Sequence, residues 1–439
     1  DYVTVTAAGS RTWYVDDSGS ADFASIQAAV TAANAGDTII VKDGTYNENI
    51  IVDKSLVIES ENGAAQTLVQ AANTNADVFK VTAASVTIEG FTASGATSEG
   101  RSGLYLTYIS GQPSGSCTVT NNLCTGNSQG ISIGTSNNTI SNNTCTLSGR
   151  YGIYLSNAAD NTVVDNICEN NTVASSYALY LADNANNNTI RGNIADSNNM
   201  GIRVKNADNN TLIENTFSNN TTGIELATGP VGNVFYQNNF IDNTTQLSAG
   251  FQAVAGNSWN SPAAQSYTYK GNSYSSQVGN YWSSYTGADA DGNGIGDTPF
   301  TTILTDSDNH PLMGAWQDGV IVAPAEAPVA AFTADKTSGT APLTVQFTDQ
   351  STNEPTSWEW DFNNDGTVDS TDQNPTYEYS AAGTYSVKLT ASNSADSDAE
   401  LKDDYITVTE APTMDVLYEG MVSLTPEATF DVTAYYLNS

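Results

Sequence analysis

A repeat of about 22 residues is the feature that most constrains how this chain can fold. A small residue followed by alternating apolar residues recurs through the centre of the sequence at intervals of 22 to 27 residues. Each copy is followed by an Asn-rich stretch that contains one more apolar residue. The copies begin at Gly103, Gly130, Gly152, Ala178, Gly201 and Gly223, and their following apolar residues are Val119, Ile140, Val163, Ile190, Leu212 and Phe235.

Alignment of the copies on that apolar residue produces columns of Asn. The three columns lie three positions after the aligned apolar residue, two positions before it and eight positions after it. Every member is Asn except one Cys and one Ser. Their members are Asn122, Asn143, Asn166, Asn193, Asn215 and Asn238; Cys117, Asn138, Asn161, Asn188, Asn210 and Asn233; Asn127, Ser148, Asn171, Asn198, Asn220 and Asn243. Such a period cannot follow one face of an α-helix, but it fits one coil of a β-solenoid.

The chemistry of Asn explains why it marks the corners of such a coil. Strands of successive coils stack about 4.8 Å apart. Asn tolerates left-handed backbone better than most residues, and stacked amides can hydrogen-bond along the column. The sequence therefore predicts an all-β fold, a right-handed parallel β-helix with three strands per coil and Asn ladders.

Three of the four cysteines share one position of the repeat. Cys124, Cys145 and Cys168 lie five residues after the aligned apolar residue, in a column that continues as Ala195 and Phe217 and is therefore predicted to point inward. Neighbours in this column would be close enough for one disulfide. The alternative is that all three are buried, small apolar residues. A zinc site is not expected, because no CxxC pair exists.

The charge limits the partners of the chain. The 439 residues include 13 Lys and Arg against 48 Asp and Glu, for a net charge of −35. Nucleic acid and anionic membranes need a basic face, so the composition excludes them and favours cations such as calcium. No apolar run is long enough to span a membrane. The Asn- and Thr-rich composition and the start at Asp1 predict a secreted, extracellular protein from which a signal peptide has been removed.

The region before the repeats is predicted to close the end of the solenoid. Residues 22–33 have a helical pattern, with Ile26, Ala29, Val30 and Ala33 on one face. A solenoid has to cover its open end, and an amphipathic helix can do so.

The motifs at both ends of this region resemble known families. Residues 14–19, 23–29, 36–41 and 44–50 resemble the opening of pectin-lyase-like β-helix proteins. Residues 279–297 and 309–313 resemble the end of NosD-type β-helix domains, which are common in archaeal surface proteins. We therefore assign residues 1–318 to the β-helix domain, including the cap and a C-terminal calcium-loop region.

Residues 319–327 are predicted to be a linker, because they contain two prolines and little to bury. The segment 328–410 closely resembles a PKD domain, an extracellular immunoglobulin-like module, and has the alternating pattern of a β-sandwich. Residues 411–439 contain strand-like runs without a partner. They are predicted to be either the start of a further domain or a strand that pairs with another subunit.

Two Asp-rich loops have the spacing of a calcium-binding loop, with Gly294 or Gly366 at the turn. The predicted ligands are Asp289, Asp291, Asn293, Ile295 and Asp297 in the first loop, and Asp361, Asn363, Asp365, Thr367 and Asp369 in the second. Position 12 of the first loop is Phe300, so Asp306 and Asp308 are alternative oxygen donors. The competing interpretation is an Asx-rich turn without metal.

One outward column of the β-helix is the best candidate for a ligand groove. It contains Tyr105, Ser132, Tyr154, Tyr180, Arg203 and Glu225, with Lys205 nearby. Tyr rings can stack on sugars, so this is the predicted glycan-binding face. Tyr also favours ordinary strand surface, which is the alternative. Hydrolases need clustered carboxylates, which the column lacks.

The NosD resemblance implies copper, but His310 is the only histidine and Met313 the only methionine near it, too few soft ligands for a copper site. Glycosylation is predicted at sequons whose Asn faces outward. These are Asn137, Asn142, Asn170, Asn187, Asn209 and Asn219. Asn220 and Asn243 also begin sequons, but they belong to an inward ladder column.

These observations together predict a secreted cell-surface structural protein (a surface-layer, sheath or filament subunit) or an adhesin, calcium-stabilised and non-catalytic. The expected partners are copies of itself and cell-surface or environmental glycans. The alternative is a carbohydrate-binding or polysaccharide-cleaving β-helix protein.

Overall fold

The computed structural model describes residues 9–107, 115–250, 256–301 and 306–411. Residues 1–8 and nearly all of the segment 411–439 lie outside these ranges. The chain divides into two compact units, Asp1–Pro324 and Ala325–Ser439.

Three parallel sheets form the first unit, as the repeat predicts. Each coil contributes one strand to each sheet, and partners pair in register with the next coil. Sheet A contains Thr12–Val15, Thr38–Val41, Val57–Ser60, Thr87–Glu89, Thr118–Thr120, Thr139–Ser141, Thr162–Val164, Thr189–Arg191, Thr211–Ile213 and Val234–Tyr236. Sheet B contains Gly44–Asn47, Thr67–Gln70, Thr92–Ser94, Leu123–Thr125, Thr144–Thr146, Ile167–Glu169, Ile194–Asp196, Thr216–Ser218, Asn239–Ile241 and Tyr281–Trp282. Sheet C contains Ile50–Val52, Phe79–Val81, Ser102–Leu106, Gln129–Ile133, Tyr151–Ser156, Tyr177–Ala182, Met200–Lys205, Thr222–Ala227 and Thr245–Ala249.

Each corner uses two adjacent residues for two different tasks. The ladder Asn is buried, whereas the residue immediately before it is left-handed, as at Asn121, Asn142 and Asp165 with φ of 57°, 54° and 54°. The expectation that ladder Asn residues themselves take the left-handed conformation is therefore wrong. An αL residue turns the chain outward, and the next side chain then points back into the corner.

Two of the three Asn ladders run without interruption, whereas the third is broken at Ser148, whose buried hydroxyl has no hydrogen-bond partner. In the ladder that begins at Asn122, the backbone N–H and the side-chain Nδ2 of each Asn donate to Oδ1 of the Asn one coil on, at 2.9 to 3.2 Å. Nδ2 also donates to a backbone carbonyl of a neighbouring strand, as from Asn166 to Ile140 at 2.9 Å. These bonds satisfy the buried amide groups of the ladder that begins at Asn122.

A short helix covers the N-terminal end, as predicted. It spans Ile26–Ala32, its N-cap is Ser25, and Ile26, Ala29 and Val30 are buried against the first coils. The Glu48 carboxylate accepts the first two backbone N–H groups of the helix, at 2.8 and 2.9 Å. These bonds satisfy donors that a helix N-terminus leaves free.

Aromatic stacking closes the other end of the β-helix. Phe240 stacks on Trp282 with a centroid distance of 4.3 Å, and Trp282 stacks on Phe300 at 4.5 Å. A small four-stranded sheet follows, with strands Asn272–Ser276, Gln265–Tyr269, Val320–Val322 and Ala315–Gln317, together with the two-stranded pair Phe300–Thr301 and Ser307–Asp308. The first part of the predicted linker is therefore a strand, because Ile321 is buried in the core of this sheet.

The second unit is a β-sandwich, as predicted. One sheet contains Phe332–Ala334, Leu343–Asp349 and Thr376–Tyr379. The other contains Ser338–Thr340, Ser397–Thr409, Gly383–Ser392 and Ser357–Asp361. Its core is aromatic: Trp360 and Phe362 are fully buried, and Phe362 stacks on Phe347 at 4.9 Å.

Candidate functional site

The predicted outward column of sheet C exists in the structure. Tyr105, Ser132, Tyr154, Tyr180, Arg203 and Glu225 are in-register neighbours from coil to coil. Arg203 Nε lies 3.2 Å from Glu225 Oε2, so the two charges form an ion pair. Lys205 lies 4.0 Å from the carboxylate of Asp183. The predicted face therefore contains tyrosines at its centre and paired charges at one end.

Two tyrosines that the sequence analysis missed join this face. Tyr151 and Tyr177 pack against Tyr154 and Tyr180 in a cluster with centroid distances of 4.8 to 5.6 Å. Each lies three residues before a column tyrosine, a spacing that alternation along a strand would not place on the same face. Burial within the cluster raises the pKa of Tyr180 to about 12, so its phenol stays neutral.

Arginines hold the two ends of the tyrosine cluster. Arg203 donates to the Tyr177 hydroxyl at 2.7 Å, and its guanidinium lies 5.3 Å from the centre of the Tyr177 ring. Arg150 donates to the Tyr151 hydroxyl at 3.2 Å and forms an ion pair with Glu99 at 2.8 Å. These contacts fix the rings and leave hydrogen-bonding groups at their edges.

The first predicted calcium loop lies near the C-terminal end of the β-helix unit. The Asp289 carboxylate accepts the backbone N–H groups of Asn293 and Gly294 at 3.0 and 2.9 Å, and Gly294 has φ of 87°. The Asp297 carboxylate accepts the N–H of Ala290 at 2.7 Å, which closes the loop. The remaining predicted ligands are linked by bonds from Asn293 Nδ2 to Asp291 and from Ile295 N–H to Asn293.

The second predicted loop repeats the same bonds in the sandwich. The Asp361 carboxylate accepts N–H groups from Asp365 and Gly366 at 3.1 and 2.8 Å, and Gly366 has φ of 89°. The remaining predicted ligands, Asn363, Thr367 and Asp369, lie in the same loop, with Asp369 accepting the N–H of Phe362 at 2.8 Å. In the described residues, no three acidic, His or Cys side chains converge as a metal site. Calcium binding stays a prediction.

Asp306 and Asp308, the alternative calcium ligands, terminate two Asn ladders instead. Asp308 is fully buried, and its carboxylate accepts from Asn280 N–H at 2.8 Å, Trp282 Nε1 at 3.0 Å and His310 N–H at 3.1 Å. The Asp306 carboxylate accepts the N–H of Asn257, the last Asn of the neighbouring ladder, at 3.1 Å. The N–H donors around Asp308 therefore occupy both of its oxygens. Burial nevertheless raises the pKa of Asp308 to about 6.

The cysteine column points inward, as predicted, but no disulfide forms. Cys124, Cys145 and Cys168 are in register on sheet B, and all four cysteines are free and buried. The hydrogen bond with Cys124 and burial raise the pKa of Cys145 well above its ordinary value. The thiols face the small residues Gly103, Gly130 and Gly152 across the core, so they fill space as small apolar residues.

The copper site that the NosD resemblance implies is not supported by the side chains of the described residues. The thiols are sealed in the core, and hydrogen bonding between thiols and burial hold the pKa of Cys145 and of Cys168 well above the ordinary value, whereas copper binds thiolate. His310 is half-buried, burial lowers its pKa, and its backbone rather than its ring contacts Asp308. The nearby Met313 packs into the core of the four-stranded sheet. These groups do not fit a copper centre.

The six predicted glycosylation residues share one geometry. Each is exposed, has positive φ and stands immediately before a buried ladder Asn in a coil corner. They are Asn137, Asn142, Asn170, Asn187, Asn209 and Asn219, with φ from 53° to 62°. Asn220 and Asn243 are buried in a ladder, as expected. Modification of the six stays a prediction.

Comparison with known proteins gives both sequence and structural matches. The model of the family described as periplasmic copper-binding protein (NosD) matches residues 30–174 and 161–287, together more than half of the chain. A PKD-domain model matches residues 325–408. A cell surface glycoprotein of Methanothermus fervidus is 37% identical over 102 residues, which cover 23% of this chain and 15% of that protein.

Solved structures resemble each unit. The PKD1 domain of the Vibrio cholerae metalloprotease PrtV is 36% identical and matches 19% of this chain and 98% of its own, with a TM-score of 0.16. XylC in complex with xylose is 10% identical and matches 77% of this chain and 89% of its own, with a TM-score of 0.42. From the family matches and the fold, the chain belongs to the NosD family of parallel β-helix proteins and carries a C-terminal PKD domain.

Proposed function

We propose that the chain is a secreted cell-surface protein with a structural or adhesive role, stabilised by calcium and without catalytic activity. The observation that carries the structural role is the uninterrupted Asn ladder that begins at Asn122. The ladder from Asn122 ends at the buried carboxylate of Asp308, and every coil between them is hydrogen-bonded to the next. A body built this way resists bending, which suits a spacer or building block at a surface.

The surface location is supported by the relative in Methanothermus fervidus, a cell surface glycoprotein. This chain spans about 15% of that protein, so the likeness concerns one segment only. The net charge of −35 and the exposed sequons fit an extracellular setting. Among the described residues, no helix has the length and apolar character that crossing a bilayer requires.

A non-catalytic role is supported by the outward column of sheet C. Glycoside hydrolysis uses two carboxyl groups that flank the scissile bond. Within the described strands this column contains a single carboxylate, Glu225, and the guanidinium of Arg203 neutralises it.

Calcium stabilisation is supported by the equivalence of the two loops. In both, the first Asp accepts N–H groups from the fifth and sixth positions, and a left-handed Gly occupies the sixth. The loops lie in units of unrelated architecture, so their common geometry does not follow from a common fold. Carboxylate and carbonyl oxygens in this order are the donors that calcium prefers.

Calorimetric titration of the full chain with CaCl₂ tests the calcium proposal. We expect two binding events, of which Asp289→Asn removes one and Asp361→Asn removes the other. Asp165→Asn, at an exposed corner outside both loops, is the matched control and leaves both events intact. The absence of any calcium-dependent heat in the wild-type chain would contradict calcium stabilisation.

Electron microscopy of the same protein with calcium, and then with a chelator, tests the structural role. Regular fibres or sheets that depend on calcium are the expected result, with self-association as the proposed partner interaction. Monodisperse particles under both conditions would contradict assembly and leave the adhesive role.

Carbohydrate binding is the second candidate function. The cluster of Tyr151, Tyr154, Tyr177 and Tyr180 favours it, because the partly exposed ring of Tyr154 is held by three rings that are 7% to 9% exposed, with Arg and Glu at the edge.

A further inference from the structure

The tyrosine column of sheet C has one gap. Tyr105, Ser132 and Tyr154 lie on three successive coils, so Ser132 separates the two tyrosines. Two coil spacings separate these tyrosines by about 10 Å. A cavity of about 540 Å³ opens over the gap, and both tyrosines line it. We call this cavity the serine slot.

The inner wall of the serine slot is polar although its residues are buried. Ser102, Gln129 and Ser132 are between 1% and 6% exposed, and they border the cavity. The Ser102 hydroxyl donates to the Ser132 hydroxyl at 2.8 Å, and Gln129 Oε1 accepts from Ser132. This arrangement leaves the two N–H donors of the Gln129 amide available, together with the remaining acceptor capacity of the hydroxyls. Buried polar groups beside open space are suited to bind hydroxyl groups of a ligand.

Few charges lie around the serine slot: the cations Arg101 and Lys80, and the carboxylate of Asp77. Arg101 borders the cavity, and its guanidinium lies 3.9 Å from the Asp77 carboxylate, which also accepts the Ser102 N–H at 2.9 Å. Two further cations of sheet C, Arg203 and Lys205, are paired with carboxylates, and Lys80 is the in-register neighbour of Tyr105 and acts on the same Asp77 carboxylate. The net charge of −35 of the whole chain opposes the approach of a polyanion to this face.

We propose that the serine slot binds one sugar residue of a neutral glycan chain, held between the rings of Tyr105 and Tyr154. The C–H faces of a pyranose would contact the aromatic rings, and its hydroxyls would bond to Gln129 and the serines. Beyond Tyr154 the column continues with Tyr180, which is 7% exposed and lies within the tyrosine cluster. The inference rests on carbohydrate binding, the second candidate function, and supplies its site and ligand class.

Calorimetry of the full chain with neutral gluco-, galacto- and manno-oligosaccharides, and with an oligogalacturonate as the acidic comparison, tests the proposal. Ser132→Tyr completes the tyrosine column and fills the slot. Ser248→Tyr is the matched control, because Ser248 occupies the same outward column at its far end. We expect one neutral series to bind, Ser132→Tyr to weaken it at least tenfold, and Ser248→Tyr to change it less than twofold.

A second variant and its melting curve distinguish a loss of binding from a loss of folding. Tyr105→Ala removes one wall of the slot, so it should weaken binding at least fivefold while the thermal transition stays within a few degrees. If Ser132→Tyr binds as tightly as the wild type, the slot is not the site, although carbohydrate binding stands. If no neutral oligosaccharide binds the wild-type chain, both the slot and the second candidate function are overturned. Preference for the oligogalacturonate would overturn the neutral ligand class.

Discussion

The β-helix unit and the sandwich satisfy their interiors in different ways. In the β-helix, small and β-branched residues fill a narrow core, and amides such as Asn166 pair each coil with its neighbours. In the sandwich, a few large rings centred on Trp360 fill one closed core that draws on distant parts of the chain. The comparison teaches that one unit depends on contacts that repeat from coil to coil, whereas the other depends on a single packing arrangement.

The largest effect is expected from breaking one ladder. Asn166→Ala removes the acceptor of the buried Asn143 N–H and of one Nδ2 hydrogen of Asn143, together with a donor to the Ile140 carbonyl, and should lower the unfolding free energy of the β-helix unit by roughly 5 kcal/mol. Calorimetric melting of the full chain should show a lower β-helix transition and an unchanged sandwich transition. Asn170→Ala, an exposed corner residue of the same coil, is the control and should cost about 1 kcal/mol or less. Equal losses from the two substitutions would refute the ladder's role.

The converse experiment acts on the sandwich. Trp360→Ala removes the fully buried ring that packs against Phe332 and Phe347, and should destabilise only that unit, by about 4 kcal/mol. The same melting measurement should now show the sandwich transition alone displaced. Trp358→Ala, at a partly exposed position two residues earlier, should cost less. A shift of the β-helix transition in Trp360→Ala would show that the two units do not melt independently.

A smaller effect, dependent on pH, is expected where a ladder ends in a charge. The folded chain raises the pKa of Asp308 to about 6 from an ordinary value of 3.8, so between these pH values the folded state holds the proton more tightly. Stability therefore falls as the pH rises from about 4 to about 6, by about 3 kcal/mol. The unfolding free energy of Asp308→Asn minus that of the wild type should therefore increase by that amount over the same pH range. Urea denaturation at each pH measures this difference.

The control for this experiment is Asp306→Asn, at the partly exposed end of the neighbouring ladder. It replaces the same kind of side chain at a ladder end that is only partly buried, so it shows how much of the effect comes from removing any carboxylate at a ladder end. A flat pH profile for Asp308→Asn would mean that the surrounding N–H donors fully offset the burial of the charge.

The smallest effect is expected at one corner that departs from the pattern. Leu147 occupies a left-handed position with φ of 54° and is 62% exposed, where other coils have Gly126 or Asn170. Leu147→Asn should raise the unfolding free energy of the β-helix by about 1 kcal/mol. The reciprocal Gly126→Leu should lower it by a similar amount. Urea midpoints give both values, and two changes of the same sign would contradict the strain argument.

The sequence predicted most of the corner residues of the β-helix, but not the residues at which the Asn ladders end. Asn columns identified the ladders because the same side chain solves the same problem in every coil. They did not reveal that Asp306 and Asp308 end two of these ladders, because both aspartates follow a long insertion outside the repeat. A carboxylate in an acidic loop and a carboxylate that ends a ladder have the same local sequence signature.

The sequence predicted only some of the residues of the candidate sugar site. The column through Tyr105 and Tyr154 follows from strand alternation, and so does its gap at Ser132. Tyr151 and Tyr177 could not be assigned to the same face, because each lies three residues before a column tyrosine, a spacing at which regular alternation places two side chains on opposite faces. Whether neighbouring charges cancel also depends on distances between coils, which a linear pattern does not contain.

The sequence by itself determined the repeat, the inward and outward columns of the β-helix, the helix that covers its first coil, and the sandwich that follows. These are consequences of periodicity and of residue chemistry that act locally. Only the tertiary structure decided that the thiols stay free, that Val320–Val322 is a strand, and that a buried Asp308 ends a ladder. Each of these depends on contacts between residues far apart in the chain, whose energies arise only when the coils and the sheet after them are assembled.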